Sequence, residues 1–146
     1  MTRRPAQIDL FTKRASVQAI PEPKEDVVHR TVLGTLQTLA LPDVLFFHVP
    51  NGFWAPGASR EQMARAWQRM ERLGALPGAS DLIILHRGET LALELKRRRG
   101  TASEDQEAFA DRVARAGGTW ELRDSVDSAH RLLLDRGLLR PCKGLV

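Results

Sequence analysis

The stretch from Asp81 to Lys96 restricts the possible folds of this 146-residue chain more than any other part of its sequence. The aspartate is followed by an apolar run, Leu-Ile-Ile-Leu, and then by Arg-Gly-Glu, which is typical of a tight turn. Residues 90–96 (TLALELK) alternate between apolar and other side chains with a period of two, as half-buried strands do. The stretch therefore predicts a β-hairpin that begins at Asp81 and ends at Lys96.

Charged side chains meet at one end of this predicted hairpin. Glu94 and Lys96 share one face of the second strand, and Asp81 opens the first, so we expect the three side chains to lie together. Two carboxylates can hold a hard cation such as Mg²⁺, and an adjacent ammonium can orient a water or stabilise charge on a phosphate. The group suits metal-assisted cleavage of a phosphodiester, although a Glu-x-Lys pair taken alone more often forms a solvated cross-strand ion pair.

The size and composition of the chain favour one globular domain. The hydrophobic fraction is 42%, which is ordinary for a soluble protein. Residues 1–20 show little core-like pattern and predict a flexible arm, which leaves 21–146 as a single domain. The sequence has no apolar run that suggests a membrane span or a signal peptide. The single cysteine, Cys142, excludes an internal disulfide framework and a cysteine-based zinc site, so we expect a cytoplasmic protein.

Basic residues are only slightly in excess, but their positions are informative. The net charge is +4, from 22 Lys and Arg against 18 Asp and Glu. Two groups of arginines stand out, one directly after the Glu94 strand (Arg97, Arg98 and Arg99) and one on a predicted helix (Arg60, Arg65, Arg69 and Arg72). A solvated basic face is the usual meaning of such a run, and contact with phosphates gains weight here because the first group adjoins the predicted metal site.

Helical periodicity and capping signals place the other elements. The expected elements are a helix over 25–41, a buried strand over 44–49, helices that follow the capping boxes Ser59/Gln62 and Ser103/Gln106, a strand over 119–123, and a helix over 125–135. An apolar stripe on the second helix (Met63, Trp67, Met70 and Leu73) is predicted to face the core. The last strand should run parallel to the Glu94 strand. The predicted fold is a small α/β domain with a mixed sheet flanked by helices on both faces.

Several short motifs occur in a characteristic order. They are HVPNG from His48, LGALPGASD ending at Asp81, LELK ending at Lys96, GTASEDQ ending at Gln106, and the stretch after Gly117. Together they resemble the VRR-NUC domain of the PD-(D/E)XK nuclease superfamily, in the stand-alone form of phages and bacteria. The resemblance covers 48–134, and it implies a restriction-endonuclease-like core.

The resemblance implies roles for the residues that match the family motif. Asp81, Glu94 and the backbone carbonyl of Leu95 would bind Mg²⁺ or Mn²⁺, and Lys96 would orient the water or stabilise charge. The helix glutamine of the family maps to Gln106, a residue that a capping box also explains.

Three further acidic residues compete for one role in the metal site. An acidic residue on the first helix often joins the site, and Glu25 is the best match, with Glu22 and Asp26 as rivals. In the family motif a proline usually precedes the aspartate that corresponds to Asp81, and this position is Ser80 here. The difference should have little chemical consequence, because proline supplies no metal ligand.

Substrate contacts are expected from His48, Asn51 and the arginines 97–99. A structural histidine and a turn-forming asparagine are the simpler interpretations of the first two. The remaining histidines (His29, His86 and His130) lack metal-like spacing and are predicted to be surface or packing residues.

The resemblance also implies a function. It indicates a metal-dependent DNA endonuclease, selective for branched or four-way-junction DNA, that acts as a homodimer in the cytoplasm of a bacterium or a phage-infected cell. A catalytically silent DNA-binding module of the same fold is one alternative. A restriction or host-defence nuclease is another, although no recognition domain is evident.

Overall fold

A computed structural model describes residues 24–50 and 56–143, which form four helices and four strands. In chain order they are α1 (Glu25–Leu39), β1 (Val44–His48), α2 (Arg60–Arg72), β2 (Leu82–His86), β3 (Glu89–Leu95), α3 (Glu104–Arg115), β4 (Thr119–Arg123) and α4 (Val126–Asp135). The predicted arm over 1–20, Glu22 and Asn51 lie outside the described residues. Among those described, no helix is long and apolar enough to cross a membrane.

One mixed sheet organises the domain. Its strands lie in the order β1-β2-β3-β4, with antiparallel pairing from β1 to β3 and parallel pairing between β3 and β4. The predicted hairpin is β2 and β3, and its turn uses the positive φ angles of Arg87 (49°) and Gly88 (84°), which match the twist of paired strands. Helix α3 connects β3 to its parallel neighbour β4, as predicted.

Helices cover both faces of the sheet, which confirms the predicted fold class. The main core lies between the sheet and α1 and α4, where Val32, Leu36, Leu93 and Leu133 are fully buried. A smaller cluster around Ala92 and Phe109 fills the space beneath α3 on the other face. The segment that follows α4, which carries no clear periodicity, also enters the main core through Leu138 and Leu139.

The apolar stripe of α2 is not part of the core, and the prediction that it would be is wrong. No residue of α2 is buried: Met70 is 42% exposed, and Leu73, the C-cap residue that follows the helix, is 75% exposed. Amphipathic periodicity shows that one face of a helix is apolar, but it carries no information on what covers that face.

Strand β1 was expected to be buried, and this prediction is also wrong. It forms an edge of the sheet, and Leu45 (61%) and Phe47 (47%) are exposed. The side chains that alternate with them, Val44 and Phe46, pack against the main core. The physical reason is the position of α3, which packs on β4 at the opposite edge of the sheet. Helix α3 therefore does not cover the side of β1 that carries Leu45 and Phe47.

Candidate active site

Two carboxylates lie side by side where the β2–β3 hairpin ends. Leu82 pairs with Leu93, so the antiparallel register places Asp81 opposite Glu94. One oxygen of Asp81, Oδ2, accepts a hydrogen bond from the backbone N–H of Leu95 at 2.9 Å. This bond fixes the Asp81 side chain beside the strand that carries Glu94.

Glu94 is the most deeply buried charged residue among those described, with 1% of its surface exposed. Its Oε1 lies 2.8 Å from Lys96 Nζ and accepts a short hydrogen bond from Gln106 Nε2. Its Oε2 is buried and has no hydrogen-bond partner in the described part of the chain. Burial raises the pKa of Glu94, the bond from Lys96 opposes this, and the charge of Asp81 adds to the rise.

Lys96 remains an ammonium in this setting. Burial by itself would lower the pKa of Lys96, but the hydrogen bond to Glu94 and the charges of Glu94, Glu25 and Asp81 outweigh it, and the pKa is raised. The side chain is largely enclosed, so its positive charge acts on the carboxylates in a partly desolvated space.

Gln106 serves the helix and the site at the same time. The predicted capping box is present: Ser103 Oγ accepts from the Gln106 backbone N–H at 3.3 Å, and the Ser103 N–H donates to Gln106 Oε1 at 2.9 Å. The cap uses the amide oxygen, and the amide nitrogen is left to donate to Glu94. The capping box and the hydrogen bond to Glu94 therefore coexist, because they use different atoms of the Gln106 side chain.

A glycine lets the loop before β2 approach this cap closely. Gly78 has φ +69°, and a Cβ there would overlap the backbone of Asp105 and Gln106. The close contact fixes the start of α3 against the loop that leads into Asp81. Ser80, the departure from the family motif, is fully buried there.

Of the acidic residues expected on the first helix, Glu25 reaches the site. Its Oε1 lies 3.7 Å from Lys96 Nζ. Asp26 instead pairs with Arg30 at 2.9 Å on the exposed side of α1. The geometry therefore favours Glu25 over its rival Asp26.

Two histidines also face Asp81. The His48 ring nitrogen Nδ1 lies 3.0 Å from the Asp81 carbonyl oxygen, and since a carbonyl only accepts, Nδ1 carries the proton in this bond. His29 Nδ1 lies 3.8 Å from Asp81 Oδ1, and the two rings meet edge to face at 4.7 Å. Burial lowers the pKa of His29; His48 adds to this effect, while Asp81 and Glu25 oppose it.

The position of His29 was missed by sequence reasoning. The available signal is its place on α1, four residues after Glu25, which puts both side chains on the same helix face. The other two histidines lie away from the site, with His86 beside Asp43 (3.2 Å) and His130 hydrogen-bonded to Thr35 (2.8 Å).

An open hollow of about 490 Å³ gives solvent access to this group of side chains. Its lining comes from α1, β1 and the start of the hairpin, and consists of Glu25, Asp26, His29, Arg30, His48 and Asp81. The arginines 97–99 are exposed and follow Lys96 just beyond the end of β3. The last of them, Arg99, has φ 61°, and its backbone N–H donates to Asp124 Oδ2 at 3.0 Å, which fixes the turn.

The donors present suit a hard divalent cation. Glu94 Oε2 is a buried carboxylate oxygen whose acceptor capacity is unused among the described residues, and such an atom is unfavourable unless a cation or hydrogen-bond donor meets it. No three His, Cys, Asp or Glu side chains in 24–50 and 56–143 already surround one metal position. The expected ligand set needs only two such side chains, because it consists of two carboxylates and a backbone carbonyl.

The fold and the site together define a small α/β domain with a carboxylate pair and an ammonium at one end of its sheet. The fold matches a solved structure described as a "VRR_NUC domain protein", with a TM-score of 0.62 and 17% identity over 80% of this chain and 89% of that one. A second, described as "VRR_NUC domain", has a TM-score of 0.48 and 18% identity over 75% and 94%. No protein-family model and no curated protein matches the sequence. The fold is thus that of a VRR_NUC domain protein, as the sequence motifs predicted.

Proposed function

We propose that this protein belongs to the VRR-NUC nucleases and is a divalent-metal-dependent DNA endonuclease. The observation that carries the proposal is the pairing of Asp81 with the buried Glu94, whose two oxygens have different environments. One oxygen is bonded to Lys96 and Gln106, while the other has no partner among the described residues. A purely structural ion pair would not require a buried carboxylate oxygen to be left unsatisfied.

Asp81, Glu94 and the Leu95 backbone carbonyl would hold Mg²⁺ or Mn²⁺, with Glu25 at the edge of the site. A bound divalent cation supplies Lewis-acid polarisation of a phosphate and makes a bound water more acidic. The protein supplies the arrangement of these ligands, since the Leu95 N–H fixes Asp81 and the Gln106 amide fixes Glu94.

The other residues of the site would act on the substrate. The Lys96 ammonium would orient the attacking water or neutralise charge on the phosphate. His48 would act near the DNA, with its ring held in place by the hydrogen bond from Nδ1 to the Asp81 carbonyl. The arginines 97–99, with Asn51, would contact the DNA backbone without regard to sequence.

The proposal extends to branched DNA and to a homodimer in the cytoplasm of a bacterium or a phage-infected cell. A domain of this size offers little surface for a four-way junction, so a two-fold dimer with paired sites is attractive. The β1–β2 patch (Leu45, Phe47 and Leu85) is exposed, and Leu45 and Leu85 are direct cross-strand partners. Such a patch at a sheet edge is typical of a protein interface.

The proposed function is tested by a cleavage assay with Mg²⁺ or Mn²⁺ on a four-way junction, a flap, single-stranded DNA and linear duplex. Cleavage of the junction or flap that is lost in Asp81→Asn and Lys96→Ala would support a branch-selective nuclease. Equal cleavage of all four substrates would indicate a general nuclease instead. DNA binding without metal-dependent cleavage would favour the silent binding module, and cleavage at one sequence in duplex DNA would favour the restriction type.

The dimer is tested separately by light scattering of the purified full-length chain. We expect Phe47→Ser to lower the dimer fraction, because it replaces an exposed aromatic side chain of the β1–β2 patch with a polar one. Val27→Ser is the matched control, since Val27 is exposed to a similar degree on α1. A monomeric wild-type protein would remove the dimer from the proposal.

A further inference from the structure

Helix α2 is the least enclosed element of the described chain. Its Ser59/Gln62 capping box is complete, so the helix is well defined at its start. Yet none of its residues is buried, although one face is strongly apolar. A helix with this composition normally covers a core, so its apolar face requires another explanation.

The exposed apolar residues lie at the end of α2, next to a row of arginines. Arg65, Arg69 and Arg72 follow one another at spacings of four and three, so they share one helix face. Successive residues of an α-helix are rotated by about 100° around the helix axis, so Leu73 and Met70 lie between the arginine row and Trp67 on the helix surface. We call Met70 and Leu73 the α2 tip.

The α2 tip borders a hollow that the arginines also line. The hollow has a volume of about 560 Å³, and it is formed by Arg65, Ala66, Arg69, Met70 and Leu73. All three arginines of the row are exposed. Within the described residues, none of them forms a salt bridge. The surface therefore combines unpaired positive charge with exposed apolar side chains.

The other side of α2 connects this surface to the candidate active site. Trp67 is half-buried and lines a second hollow with Gly78, Ser103 and Gln106. Gln106 in turn donates its hydrogen bond to Glu94. A ligand held along α2 would consequently lie beside the loop and the helix start that support the buried carboxylate.

From this arrangement we propose that α2 binds branched DNA, with the arginine row on the phosphates and the α2 tip against the unstacked bases at the branch point. This inference rests on the proposed function and assigns its branch selectivity to named residues. Apolar side chains that contact or separate bases are a recurring device of proteins that bind distorted DNA. Bases at a branch are already partly unstacked, so less energy is needed to expose them than in a linear duplex.

Charge complementarity favours DNA over a second copy of the chain at this surface. A two-fold contact through the α2 tip would bring the arginine row of one copy close to the same row of the other. Like charges across an interface are destabilising, and α2 offers only Glu61 and Glu71 to compensate. A polyanion meets the same arginines favourably.

The test is a binding titration with a fluorescent four-way junction and a linear duplex of equal length. Every protein is full-length and carries Asp81→Asn, so that the DNA stays intact. We expect Met70→Ser/Leu73→Ser to weaken junction binding by at least about tenfold, because even partial burial of two apolar side chains accounts for a loss of that size, and to have a much smaller effect on the duplex. Val27→Ser is again the matched control.

Arginine variants separate the two parts of the surface. Arg65→Gln/Arg69→Gln should weaken binding to both DNAs and reduce the salt dependence by about one ion per arginine. The fluorescence of 2-aminopurine at the branch point should rise on binding the parent protein and rise less with Met70→Ser/Leu73→Ser, because unstacked bases fluoresce more strongly.

Three results would overturn the inference. Equal losses for junction and duplex in Met70→Ser/Leu73→Ser, or no loss at all, would remove the α2 tip from branch recognition while leaving the nuclease proposal intact. A dimer that dissociates in the same variant would assign the tip to a protein contact. A parent protein that binds neither DNA would refute this inference and the DNA-directed function together.

Discussion

Removal of the Lys96 ammonium should destabilise the protein far more than the loss of a surface salt bridge does. Glu94 is 1% exposed, and the ammonium lies 2.8 Å from its Oε1. Lys96→Met keeps most of the side-chain volume but leaves the buried carboxylate without its cation. Loss of one partner of a buried pair typically costs about 3–5 kcal/mol, whereas exposed pairs contribute roughly 0–1 kcal/mol.

The expected loss lies near the lower limit, at about 3 kcal/mol. The hydrogen bond from Gln106 remains in the variant, and Glu94 can take up a proton when its charge becomes too unfavourable. The double variant Glu94→Gln/Lys96→Met removes both charges and keeps an amide that can bond to Gln106. We expect it to regain at least about 2 kcal/mol relative to Lys96→Met, since no uncompensated charge remains.

The pH dependence of Lys96→Met follows from the direction of the Glu94 shift. Burial raises the pKa of Glu94, so the folded state holds this proton more tightly than the unfolded state. The stability that comes from the protonated carboxyl is present at low pH and is lost as the pH rises through the folded-state pKa. Loss of the ammonium raises that pKa further, so the stabilities of the variant and the wild type should converge as the pH falls toward the ordinary titration range of a glutamate.

Urea denaturation followed by circular dichroism measures these differences for the wild type, both single variants and the double variant. Glu94→Gln alone should be milder than Lys96→Met, because Lys96 keeps Glu25 at 3.7 Å. Losses that simply add in the double variant would refute the reasoning, because they would mean that the two groups do not interact. A loss below about 1 kcal/mol in Lys96→Met would show that the pair behaves as an exposed one.

Further changes test the loop, the core and the pH response. Gly78→Ala should destabilise the fold by more than the roughly 1–2 kcal/mol that a left-handed φ costs, because the new Cβ meets the start of α3. Gly57→Ala, at φ +81° and with open space around it, should show only this conformational cost. Equal losses in urea denaturation would contradict the contact between Gly78 and α3. Leu133→Ala should lose about 2–5 kcal/mol, since Leu133 is fully buried in the main core, and a loss under 1 kcal/mol would be inconsistent with that position. Burial lowers the pKa of His130, so the stability that neutral His130 contributes is complete above the ordinary histidine pKa and is lost as the pH falls through the folded-state pKa. His130→Gln, which can still bond to Thr35, should reduce this loss of stability at low pH. An unchanged dependence of stability on pH would assign the loss to other groups.

The hairpin and the helix starts could be predicted because their signals are local. The period of two in TLALELK determines which side chains share a face, and the Arg-Gly turn joins the strands without an alternative register. The Ser59 and Ser103 capping boxes each need only residues three positions apart. These elements are the ones that bring Asp81 and Glu94 together, so the centre of the candidate site was predictable as well.

The remaining features depend on contacts between distant parts of the chain. Nothing in the sequence of β1 indicates that it lies at a sheet edge, since an apolar run is equally compatible with a central strand. The burial of Leu139 depends on its bridge to Ala40, ninety-nine positions earlier in the chain. His29 joins the site only because α1 packs against the sheet with Glu25 near Lys96, and helix periodicity cannot give the direction of that packing.

Gln106 belongs to a capping box and also donates a hydrogen bond to Glu94, and these two roles place different demands on the residue at this position. A capping box accepts glutamate or glutamine at this position, so the helix start alone does not decide between them. A glutamate could still accept the Ser103 N–H, but its second oxygen would face the Glu94 carboxylate with no proton to donate. Two carboxylates in a buried space repel and raise each other's pKa. The choice of an amide at position 106 is therefore made by the buried Glu94 and not by the helix, and this part of the capping box carries information about the site.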